Sequence, residues 1–262
     1  MTLQLAPGLL ISFLLALVRA STWLSISPPF NTRTLNVRVR VGLAAGLAMF
    51  VAPNLAPATA ASASQLPVST VAFIGSVVLQ AFTGMVLGFL TLFMVAAVQA
   101  AGALIDITGG FTISTAYDPL LNNQTSVIGR FYNLLAVTLL FATNAYLLLI
   151  KGFLTSFEAV PLSSSSLTAL AKLLVNDLGT FLVSAVEIAG PMVAVLFLAE
   201  VVLGLLARAA PQMNIFALGF PLKILLVLLL LGSMLPLLPN ALSNLIEHAL
   251  REGNTLLRSA TG

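Results

Sequence analysis

The chain has 262 residues and a mean hydropathy of +1.09. It is 59% hydrophobic and only 7% charged, against roughly 25% charged in an ordinary soluble domain. Its net charge of +3 comes from eleven scattered cations, which form no dense patch; this excludes nucleic acid as partner and suits loops oriented in a membrane. The absence of cysteine excludes thiol chemistry and Cys-ligated zinc or iron–sulfur clusters, and no cofactor or metal site is expected. The lone histidine, His248 beside Glu247, reads as a surface residue.

Six apolar segments follow one another. All are expected to be helical, because backbone in lipid must satisfy its own hydrogen bonds and no barrel-like alternation is present. The first runs from about Pro7 to Ile26. No cation precedes its apolar run Leu9–Val18, and Arg19 falls inside it, so it reads as a retained helix rather than a cleaved leader. The second covers about Val39–Pro57 and the third Val68–Ile105. No Asp, Glu, Lys or Arg occurs from Val41 to Ile105. As one helix the third would be about 57 Å long, against a hydrocarbon core of about 30 Å. A steeply tilted, broken or partly extramembrane helix is therefore expected.

A polar stretch follows, GGFTISTAYDPLLNNQTSVIGR (109–130), too polar to span a bilayer and longer than a turn requires. Composition alone favours a solvated external loop. The fourth segment covers Ile128–Ile150, the fifth Asn176–Ala207, and the sixth Phe220 to about Leu242; Ser163–Ser166 is a short flexible connection. Small-residue pairs four apart, Gly42 with Gly46 and Gly84 with Gly88, let helices approach closely. Packing within the chain is the expected use, and contact with partner subunits the alternative. Loop cations fall six on one side (Arg33, Arg38, Arg40, Arg130, Arg208, Lys223) and four on the other (Lys151, Lys172, Arg251, Arg258), which favours both termini outside.

Catalytic chemistry has no candidate: no nucleophile with a base, no HExxH, GxSxG or phosphate-binding glycine loop. Two acids in the fifth segment, Glu187 and Glu200, invite a transporter reading, since intramembrane acids usually face a partner or a cavity. They lie 13 residues apart, about 20 Å along a helix and on roughly opposite sides. That argues against one shared ion site. Glu200 precedes, and Lys223 follows, the polar turn near Gln212 by similar numbers of residues, so an ion pair across a hairpin is expected. Pro211 and Pro221 interrupt the helices there, with Gln212 and Asn214 between them.

The string AE-x(3)-G-x(3)-R-x(2)-PQMN-x-F-x-LGFPLK, Ala199 to Lys223, resembles the FliR-type flagellar biosynthesis proteins. These are inner-membrane export-gate components of type III secretion apparatus, with virulence-system counterparts. Arg19 followed by SPPF (Ser27–Phe30), RVRVGLAAGLAMFVAP (Arg38–Pro53), GGFTISTAYDP (Gly109–Pro119) and TSFEAVPL (Thr155–Leu162) extend the resemblance over most of the chain. Where the family often carries a histidine-containing step, this chain has Asn144, Ala145 and Tyr146.

The resemblance implies an all-α membrane protein with about six long hydrophobic helices, some broken or tilted, and a central non-helical plug-like loop. It implies an N-terminal region, residues 1–175, like FliP, and a C-terminal hairpin, residues 176–262, like FliQ. Implied partners are FliP-like and FliQ-like subunits, an FlhB-like membrane protein, unfolded flagellar export substrates and membrane lipid. The implied location is the bacterial inner membrane at the flagellar basal body. The implied role is a channel wall that does no chemistry, with loop 106–129 closing the pore at rest. Its plug residues would be Gly109, Gly110, Phe111, Thr112, Ser114, Tyr117, Asp118 and Pro119. Residues for assembly or ion pairing would be Arg19, Glu187, Glu200, Arg208, Pro211, Gln212, Asn214, Pro221 and Lys223. The rivals are a stand-alone secondary transporter using Glu187 and Glu200, and a scaffold with no gating part.

Overall fold

In a computed structural model of the chain, residues 7–31, 35–65, 70–111, 126–160, 162 and 167–259 are described below. All regular structure among them is helical: α1 (Pro7–Ile26), α2 (Val37–Gln65), α3 (Thr70–Gly109), α4 (Val127–Ala142), α5 (Tyr146–Ala159), α6 (Leu167–Ala209), α7 (Ile215–Met234), and α8 (Leu238–Ser259), which follows a short 3-10 turn at Leu235–Leu237. Five stretches are long and apolar enough to cross a membrane, and α4 with α5 count as a sixth only if the pair is taken as one span. The all-α membrane class expected from composition is thus the one observed.

The third apolar segment is one continuous helix of 40 residues, not a broken one. The fourth departs from expectation in the other direction. Ile128–Ile150 is not one helix but is interrupted at Thr143–Ala145. Asn144 there has φ of 57°, in the left-handed region. Asn tolerates that region better than most residues, because its short side chain bonds locally. The Thr143 amide and hydroxyl both donate to the Leu139 carbonyl, at 2.8 and 2.7 Å, and so finish α4 before the break.

The chain divides into two compact units. One contains Met1–Phe93, Asn144–Leu178 and Ile246–Gly262. Within it, α1 packs on α2, whose buried Ala44, Ala48, Val51 and Ala52 recur at helical spacing. On α3, Gly84 and Gly88 lie against α1: a Cβ on Gly88 would stand 2.7 Å from that of Ile26, and one on Gly84 would collide with the Thr22 hydroxyl and the Arg19 carbonyl. These glycines make the close helix approach their spacing suggests. Gly42 and Gly46 do not: among the described residues, nothing stands within 4 Å of where a Cβ on either would be. An apolar cluster of Val86, Leu90, Ala159, Val160, Leu170 and Leu173 joins α3, the end of α5 and the start of α6.

The other unit contains Met94–Thr143 and Gly179–Leu245. Its α4 packs on the second half of α3, where Asn133 donates to Gln99 at 2.9 Å. Buried Tyr132 sets its hydroxyl 3.6 Å from the Met192 sulfur of α6. The α6–α7 hairpin closes where Leu203 fills the space over Gly219.

Candidate functional site: the neck of the central loop

The described ends of the polar stretch, at the end of α3 and the start of α4, are held at one place. Asp106 does this with two parts of itself. Its backbone carbonyl accepts from the Phe111 amide at 3.1 Å, while Gly110 adopts φ of 84°. This is the glycine-stopped helix end in which the amide two residues past the cap bonds back over six residues. A side chain at Gly110 would be strained in that conformation. The Asp106 carboxylate points the other way, to the start of α4. It accepts from the Ile128 amide at 3.0 Å and from the Ser126 hydroxyl. Ser126 in turn accepts from the Gly129 amide at 2.8 Å, as the α4 N-cap. A carboxylate at the positive end of a helix gains from the dipole as well as from the bonds. Asp106 is buried, so water does not compete for these donors.

Backbone contact completes the neck. A Cβ on Gly102 would stand 2.7 Å from the Gly129 Cα and 2.8 Å from the Ile128 carbonyl oxygen. The two helices therefore touch main chain to main chain one turn below the clamp. Of the plug residues named from sequence, Gly109 and Gly110 are buried and Phe111 half-buried at this neck. Thr112, Ser114, Tyr117, Asp118 and Pro119 lie outside the described residues. Sequence reasoning missed Asp106 as a clamp and Ser126 as its partner. The available signal was an acid closing a charge-free run of 65 residues, with a serine ahead of the next apolar segment.

The hairpin residues lie in the same unit. Lys223 and Glu200 form the expected ion pair, Nζ to Oε2 3.1 Å, with Lys223 15% and Glu200 63% exposed. They line a cleft of about 340 Å³ that also includes Gly110. Asn214 caps α7 by accepting from the Ala217 amide at 3.2 Å. Pro211, Gln212 and Arg208 are exposed at the turn and at the last turn of α6, and Pro221 sits within α7 without ending it. Glu187 is exposed on α6, and its side chain makes no hydrogen bond or ion pair among the described residues.

Arg19 belongs to the other unit and is fully buried. Its Nε donates to Gln80 Oε1 at 2.7 Å. Nη1 donates to the Ser156 carbonyl at 3.1 Å and Nη2 to the Val160 carbonyl at 2.8 Å. The guanidinium lies 4.2 Å over the Phe157 ring. The Gln80 amide donates in turn to the Leu162 carbonyl at 3.3 Å. A buried charge is costly unless its donors are used. Here they are used by the negative, carbonyl-bearing end of α5 and by an aromatic face.

A family model described as bacterial export proteins, family 1, matches residues 10–249. The chain is 32% identical over 223 residues to the flagellar biosynthetic protein FliR of Pectobacterium carotovorum subsp. carotovorum, covering 85% of this chain and 83% of that one. It is 30% identical over 223 residues to the FliR of Escherichia coli (strain K12), with the same coverage. It is also 28% identical over 229 residues to the Yop proteins translocation protein T of Yersinia pestis, covering 85% of each.

Proposed function

The chain belongs to the bacterial export proteins of family 1, the FliR family, and we propose that it is a core subunit of a flagellar export gate, closed at rest by its central loop. Its long apolar helices and its family fit a multi-pass inner-membrane component of flagellar or type III export machinery. Beyond that coarse role, we assign it one wall of a channel for unfolded flagellar polypeptides at the basal body. There it assembles with FliP-like and FliQ-like subunits and an FlhB-like protein, its residues 1–175 on the pattern of the first and 176–262 on that of the second. It does no chemistry on the substrate.

The observation that carries the gating part is the neck. Asp106 clamps the start of α4 to the end of α3. The described residues that flank 112–125, Phe111 and Ser126, are therefore held at one place. A plug needs this: the helices stay in place while the loop is displaced by a passing chain. Non-helical backbone at membrane depth is tolerated where protein or a watery lumen surrounds it, and Ser, Thr and Asn serve such a lumen without fixed charge.

The transporter reading is the weaker one. Glu200 is engaged by Lys223, so Glu187 and Glu200 are not both free to serve an ion site. The test replaces residues 112–125 by a short Gly-Ser link, keeping Asp106 and Ser126, and measures ion leak through resting assembled complexes. Leak above the parental level is expected. Leak and small-molecule permeability at the parental level would refute the plug.

A further inference from the structure

We infer that Glu187 marks a contact face of α6 that receives a Lys or Arg from a membrane helix of another subunit; this rests on the export-gate reading above. Three other ionic groups in the candidate spans have partners within the chain. Arg19 has helix-end carbonyls and Gln80, Asp106 has the α4 cap, and Glu200 has Lys223. Glu187 lies within the candidate span Leu170–Ala209, is exposed, and has no such partner among the described residues. An acid facing lipid is unfavourable, and acids in spanning segments face a partner or a cavity.

A second feature points the same way. Pro191 lies four residues on, inside the helix, and has no N–H to give to the Glu187 carbonyl. Residues i and i+4 share a helix face, and Pro191 is exposed as Glu187 is. Residue 187 thus offers two acceptors, a carboxylate and a main-chain carbonyl that Pro191 leaves without its usual helical donor. What suits them together is a cation with several N–H groups, which Lys and Arg side chains carry.

The surroundings admit a helix. On the same stripe lie exposed Val183, Ala194 and Leu198, and among the described residues no atom stands within 4 Å of where a Cβ on Gly190 would be. Small residues beside the acid let a neighbouring backbone come close, with apolar contact above and below. The helix of 43 residues is about 65 Å long, more than twice a hydrocarbon core of about 30 Å. Lipid alone does not cover its length.

The test isolates detergent-solubilised export complexes from cells making the parental chain, Glu187→Leu, Glu187→Gln or Glu187→Lys. Leu suits lipid better than Glu, so a lipid-facing site would accept it. On this inference Leu and Lys instead lower co-isolation with the other membrane subunits by about tenfold or more, the loss seen when one member of a desolvated charge pair is removed, while Gln loses less. Co-isolation of the Leu variant at the parental level would overturn the inference. So would a Gln variant that assembles fully but exports nothing, which would make Glu187 a proton carrier. Should a variant accumulate poorly, selection for export-positive revertants of Glu187→Lys decides. Suppressors should replace a Lys or Arg in a membrane helix of another subunit, and suppressors confined to this chain refute the contact. If the parental chain itself co-isolates with no export subunit, the export-gate reading fails instead.

Discussion

Replacing Asp106 by Ala removes the acceptor shared by the Ile128 amide and the Ser126 hydroxyl. Hydrogen bonds to a charged group contribute about 1.5–3 kcal/mol each. Both donors share one carboxylate, and Ser126 keeps its own bond to the Gly129 amide, so the two losses do not simply add. A loosening of the neck by about 3 kcal/mol is a reasonable centre. The Ile128 amide reports it directly. It lies in the first turn of α4, where amides have no helical acceptor, and Asp106 is its partner. At about 1.4 kcal/mol per decade, its hydrogen exchange should quicken by roughly a hundredfold. Amides in the middle of α4 should hardly change. Asp106→Asn keeps one acceptor and should fall between. If the Ile128 amide exchanges within about threefold of the parental rate in the Ala variant, the carboxylate does not hold the neck, and the argument for the plug goes with it.

The buried Arg19 and the Asn214 cap give two further expected outcomes. Arg19→Met should cost about 3 kcal/mol, because buried carbonyls of Ser156 and Val160 lose their donors. The single tryptophan, Trp23, reads this out: it is 1% exposed and stacked on Phe153 with ring centroids 4.5 Å apart. Its emission should move to the red and become easier to quench, and an unchanged spectrum with unchanged thermal stability would contradict the account of Arg19. Asn214→Ala should cost about 1 kcal/mol by removing the α7 cap. Thermal unfolding of the purified protein in detergent checks it, with Asn214→Ser expected to recover most of the loss.

What was legible in the sequence was local or symmetric. Apolar length marked most of the helices, because hydrocarbon demands it. The Glu200–Lys223 pair could be anticipated because a hairpin places residues equidistant from its turn at one level. Asn214 could be read as special because polar side chains beside a broken helix have backbone to satisfy. The interruption at Thr143–Ala145 was missed: hydropathy runs through it, and its only mark is one Asn in an apolar run. Asp106 and Arg19 show the deeper limit. Arg19 could be named from its motif, yet its acceptors lie 61, 137 and 141 residues away. Only the packed helices bring such groups together, and no periodicity encodes which carbonyl will meet which guanidinium.

That sequence distance also has a consequence in time. Translation proceeds at roughly 5–20 residues per second, and the Val160 carbonyl follows Arg19 by 141 residues. For roughly 7–30 s, then, the nascent first helix holds a guanidinium whose final acceptors have not been made. An arginine at the centre of a lone span disfavours insertion by about 2.5–3.5 kcal/mol. During that interval α1 is best kept at the translocon or the headgroup layer, and it settles beside α3 only when α5 emerges. The step that completes the Arg19 site is therefore the synthesis of its most distant ligand, so a ribosome stalled before residue 160 leaves a first helix whose guanidinium still lacks an acceptor.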